Sequence, residues 1–141
     1  MTNLQDLRED CPVRIIQLPV REISQFGSDG VDMDFLPQVR DAERTTVHVA
    51  RIVAGGALGE HPATSLQVFA VLAGEGVVTS KGADGDADER WEIEPGQAAV
   101  WEPGEIHATT ATTDLLAVIV ETTADELLFR DHEVLYGPPM V

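Results

Sequence analysis

Apolar and polar residues alternate along most of this chain, in short runs separated by glycine, proline and acidic turns. A two-residue period sends successive side chains to opposite faces, so each run predicts a strand with one covered face. Residues 13–18 (Val-Arg-Ile-Ile-Gln-Leu) lie between Pro12 and Pro19, and prolines at both ends predict a strand at a sheet edge. A turn at Gly27-Ser28-Asp29-Gly30 leads to a second strand over 31–36, and Pro37 with the charged stretch 38–44 predicts a connection. Residues 45–53 are β-branched and long, which predicts a central strand. One of its faces carries Val47, Val49, Arg51 and Val53, the other Thr46, His48, Ala50 and Ile52.

The next stretch, 55–76, opens on Gly55-Gly56, passes His61-Pro62, turns apolar from Gln67 to Leu72 and stops at Gly74-Glu75-Gly76. If 61–71 is extended, His61, Ala63, Ser65, Gln67, Phe69 and Val71 share a face. That face has polar groups at its head and apolar ones beyond, as the wall of a barrel beside a ligand site would. Residues 77–81 and 90–93 predict a hairpin around the acidic stretch 82–89. Asp84, Asp86 and Asp88 have the spacing of a calcium loop, but its sixth position is Glu89 and its twelfth Pro95, so the stretch reads as an exposed turn. A second glycine turn at Gly96 leads through an apolar strand to Pro103-Gly104 and then to His107, which heads a threonine-rich strand. Residues 115–121 close the set, 124–130 predict one short helix, and 131–141 predict a tail with His132 at the surface. Nine or ten short strands with turns between them predict an all-β sandwich or barrel.

Length and charge narrow the function. At 141 residues with 43% hydrophobic content the chain is one folded domain's worth. A formal net charge of −16, from 25 acidic residues against nine basic ones, repels phosphate backbones and anionic lipid, so nucleic acid and membrane are poor partners. The chain has no apolar run of membrane-spanning length and its first residues lack the pattern of a signal peptide, which points to a cytoplasmic protein. The lone Cys11 forms no internal disulfide and reads as a structural thiol.

The two glycine–strand–histidine stretches together resemble the cupin superfamily. Its first motif runs Gly, five residues, His-x-His, three residues, Glu, six residues, Gly. Gly55, His61, Ala63, Gln67 and Gly74 take those places, with alanine for the second histidine and glutamine for the glutamate. Its second motif runs Gly, five residues, Pro-x-Gly, two residues, His; here it appears as Gly96, Pro103-Gly104 and His107. The resemblance spans residues 45–121. It implies a double-stranded β-helix, a jelly-roll-like barrel, with an N-terminal arm over 1–44, a short helix or tail over 122–141, and a homodimer.

Cupins that bind metal place three histidines and a glutamate on iron, manganese, nickel or zinc. The resemblance therefore makes His61, Gln67 and His107 the retained donors. Two imidazoles and a neutral amide leave a divalent cation without an anionic ligand. Glu105, two residues before His107, would share its face on an extended backbone and complete a set of two histidines and one carboxylate. Phe69, Trp101 and His48 would line the site. Three functions fit these residues: a metal-dependent oxygenase or isomerase, a metal-free module for a small, largely apolar molecule, and metal-independent acid–base catalysis on a sugar nucleotide. The third is least favoured, because few basic residues lie in the motif region to hold a diphosphate.

Overall fold

The alternating runs become antiparallel strands packed as two facing sheets. The computed structural model describes residues 13–81 and 88–138. Six strands form one sheet in the order β14 (Glu133–Tyr136), β1 (Arg14–Gln17), β10 (Gln97–Trp101), β7 (Leu66–Ala73), β12 (Leu115–Thr122) and β5 (Thr45–Ile52). Four form the other, in the order β6 (Ala57–Pro62), β11 (Ile106–Ala111), β8 (Gly76–Lys81) and β9 (Asp88–Ile93). Two short pairs flank them: β2 (Val20–Ile23) with β3 (Val31–Asp34), and β4 (Gln38–Val39) with β13 (Leu127–Leu128).

Between the sheets lies a core of Phe69, Val71, Val78, Ile93, Ala99, Trp101, Ala111, Leu115 and Ala117. The six-stranded sheet is covered on its other face as well, where Ile16, Leu18, Leu66, Val68, Ala70, Ala98, Val100 and Leu127 pack with Leu36, Val39, Phe129 and Val134. This explains why β7 reads as an unbroken apolar run: it is buried on both faces, and alternation vanishes where water reaches neither side. Each large side chain buried here contributes about 1.5–3 kcal/mol relative to exposure. The turn after β7 needs glycine at Gly74, whose φ is +80° and whose Cβ, if it had one, would stand 1.9 Å from the carbonyl oxygen of Asp114.

Several expectations are corrected. The strand after Pro12 is not an edge, because β14, drawn from the expected tail, pairs with its open side while β10 pairs with the other. The long strand β5 lies at an edge instead: among the described residues, only β12 pairs with it. The extended segment 61–71 is broken by a turn at 63–65, so His61 and Gln67 lie on different sheets. The connection 38–44 contributes β4, and the expected C-terminal helix is absent; β13 occupies that stretch, because Leu127 is worth more packed in the outer core than helix propensity is worth on the surface. His132 is buried rather than at the surface: its Nε2–H donates to the carbonyl of Phe35 at 2.8 Å and its Nδ1 accepts from the Arg130 amide at 3.1 Å. The arm before residue 13, with Cys11, and the acidic stretch with Asp84 and Asp86 lie outside the described residues.

Candidate functional site

Strands β6 and β11 bring the two motif histidines together. In their register His61 stands directly opposite His107, with ring centroids 4.5 Å apart and a tilt of 57°. The pair differs in depth, since His61 is exposed and His107 is buried at 3% exposure. Each ring places Nδ1 against a backbone carbonyl: His61 against Gly59 at 2.6 Å, His107 against Glu105 at 3.1 Å. A carbonyl can only accept, so each Nδ1 carries a hydrogen.

Trp101, at the end of β10, stacks on His107 at 4.1 Å with the planes 17° apart, and Phe69 meets Trp101 edge-on at 6.1 Å. Both aromatics are fully buried. Among the buried side chains described, two polar atoms lack a partner, and they belong to this stack: His107 Nε2, an acceptor, and Trp101 Nε1–H, a donor. Leaving either group unsatisfied costs about 1–3 kcal/mol. Burial lowers the pKa of His107, with the Glu105 carbonyl opposing the shift and His61 adding slightly to it, so the ring is neutral at physiological pH.

Glu105 stands immediately before β11. Its side chain is buried at 2% exposure, where Ser80 Oγ donates to one carboxyl oxygen and the Glu102 amide donates to the other at 3.1 Å. Burial raises its pKa to about 7, against the lowering effect of these hydrogen bonds. Ala63, in the place of the second motif histidine, is buried too; its amide donates to the Glu105 carbonyl at 2.9 Å, and the Gly104 amide donates to its own carbonyl at 2.7 Å. The two motif turns are thus tied to each other by backbone.

The remaining expected residues lie on the inner face of the six-stranded sheet. Gln67 is buried and pairs in register with Trp101 on one side and with Glu121 on the other. One row deeper, Phe69 pairs with Ile119, and Ile119 with His48 on the edge strand, where His48 is exposed. Ser80 and Glu121 were missed from the sequence. Each follows from period-2 alternation: Gly76, Val78 and Ser80 face inward along β8, and Leu115, Ala117, Ile119 and Glu121 along β12.

The donors fit a resident transition metal poorly. Among the described residues, no three His, Cys, Asp or Glu side chains stand close enough to hold an ion. Both oxygens of the Glu105 carboxyl are committed to Ser80 and the Glu102 amide, and its pKa is raised to about 7, so at neutral pH it is neither free nor fully ionised as a ligand beside the two histidines.

No protein-family model and no curated protein sequence matches the chain. Solved structures do. A cupin superfamily protein from Desulfitobacterium hafniense aligns at TM-score 0.51 and 15% identity over 60% of this chain and 72% of its own. The TDP-quinovose 3,4-ketoisomerase from Campylobacter jejuni aligns at TM-score 0.61 and 13% identity over 86% and 88%. An Fe(II)-bound HEPD from Streptomyces albus aligns at TM-score 0.51 and 15% identity over 77% of this chain and 24% of that one. At such identities the likeness shows the fold, and the fold is that of the cupins.

Proposed function

We propose that this cupin-fold chain binds a small organic molecule at the head of its barrel, between His61, His107, Trp101 and Gln67, without a resident metal. The observation that carries the reading is the orphaned pair, His107 Nε2 and Trp101 Nε1–H, buried on stacked rings. Together they are one acceptor and one donor awaiting a polar group, beside the apolar surface of Phe69. A metal-dependent enzyme is less well supported, because the donor set lacks an anion and a third imidazole.

A sugar nucleotide of the kind the ketoisomerase acts on is also less well supported. A diphosphate needs cations. Arg51 lies on the outer face of β5, Lys81 pairs with Glu60 at 3.3 Å, and Arg14 with Glu102 at 3.8 Å.

The test is a fragment screen by NMR combined with elemental analysis of chelator-free protein. Hits that shift His61, His107 and Trp101, with well under one equivalent of metal, support the proposal. Close to one equivalent of iron, manganese, nickel or zinc, lost in His107→Gln, would overturn it.

Association of two copies is supported by β5, an eight-residue edge strand free of proline whose outer face exposes Val47 and Val49. Sedimentation of Val49→Glu against the unaltered protein checks this: a dimer that becomes a monomer agrees, and an unaltered protein that sediments as a monomer does not.

A further inference from the structure

A row of inward-facing residues crosses the six-stranded sheet at the level of the site: Trp101 on β10, Gln67 on β7, Glu121 on β12 and Thr46 on β5, each the register partner of the next. Neighbouring strands lie about 4.8 Å apart, so Glu121 stands roughly 10 Å from the Trp101 backbone, one small ring away. Its alternation partners on β12, Leu115, Ala117 and Ile119, all pack into the inner core, which places Glu121 on the same face. It is half-buried, and among the described residues it forms no ion pair.

The hydrogen-bonding inventory of the site is lopsided. His107 Nε2 and the Glu121 carboxylate accept, whereas Trp101 Nε1–H is a single donor and Gln67 serves as either. The inward positions of β7, β10, β11 and β12 carry no lysine or arginine to balance the carboxylate.

We infer that the site selects a donor-rich, cationic ligand, an amine or amidine on a small apolar ring or chain, with Glu121 as its charge anchor and the His107–Trp101 stack as its floor. The inference rests on the binding site proposed above and specifies what that site takes. A carboxylate or phosphate in the same place would meet a like charge and the His107 lone pair.

Three probes of one shape test it: cyclohexylamine, cyclohexanol and cyclohexanecarboxylate, titrated at pH 7 and 0.15 M salt with amide and indole NMR shifts as the readout. That salt screens the diffuse field of the acidic surface, leaving the local charge to decide. Cyclohexylamine is expected to bind tightest, and Glu121→Gln to weaken it roughly tenfold while changing cyclohexanol by less than about twofold. Trp101→Phe, which deletes the indole N–H, and His107→Gln, which replaces the imidazole, are expected to weaken all three probes. Carboxylate binding as tight as amine binding, or amine binding untouched by Glu121→Gln, overturns the inference and leaves the site standing if the other two variants still weaken the probes. Three probes that leave the Trp101 indole and the amides of His61 and His107 unshifted overturn both.

Discussion

Strands β6 and β11 lie side by side and each carries one motif histidine, yet they behave as different materials. Every residue of β6 is exposed, whereas β11 buries His107, Thr109 and Ala111 in alternation. The cause is position in the sheet. β11 sits between β6 and β8 with its inner side chains in the core, while β6 is an edge strand that, among the described residues, pairs with β11 alone. Two histidines with the same backbone anchoring therefore differ in setting: His107 is a desolvated acceptor, and His61 is the exposed ring above it.

The largest effect is expected from beneath the buried histidine. Trp101→Ala removes the floor on which His107 stacks and opens a cavity in the core, and is expected to cost about 3–5 kcal/mol in urea denaturation. A loss under about 1 kcal/mol would mean that the stack carries little of the packing.

Next comes the carboxyl behind it. The pKa of Glu105 rises from 4.5 to about 7 on folding, so the folded state holds a proton that the unfolded chain releases across that window. Stability from this group is present below pH 4.5 and is lost as pH rises through 7. His107 acts in the opposite sense: with its folded pKa lowered, it costs stability as pH falls below 6.5. Glu105→Gln removes the first slope and keeps the second. Relative to the unaltered protein, the variant should gain about 2–3 kcal/mol between pH 4.5 and 8, measured as the pH dependence of unfolding free energy. An equal slope in both proteins would place the carboxyl in water.

The smallest effect belongs to the exposed partner. His61→Ala is expected to change stability by no more than about 0.5 kcal/mol, because the ring is exposed. It should nevertheless raise the pKa of His107 slightly, because His61 adds to the lowering of that pKa. A large destabilisation would make His61 structural.

Much of this was legible in the chain. Alternation and the two glycine turns gave β5 and β8 to β12 within about two residues, but not β6, which was hidden in the expected extended segment 61–71 and its approach. The resemblance named His61 and His107 without their cross-strand register. Strand neighbours were not legible. Nothing in residues 131–141 says that Glu133–Tyr136 closes the open side of β1, because pairing is decided by partners more than a hundred positions away. The burial of Glu105 was hidden for a similar reason: a glutamate after Pro-Gly looks solvated until Ser80 and the Glu102 amide are seen to receive it. Propensity misled once, at 124–130, where tertiary packing of Leu127 overrode a helical composition.

His107 is a neutral, buried imidazole with its hydrogen on Nδ1 and a bare Nε2. Long-range nitrogen–proton NMR of the histidine rings at pH 7 reads this directly. A protonated Nδ1 and an unprotonated Nε2 are expected for His107, with Nε2 shifting when a donor-bearing ligand binds. A hydrogen found on Nε2, or a doubly protonated ring, would contradict it.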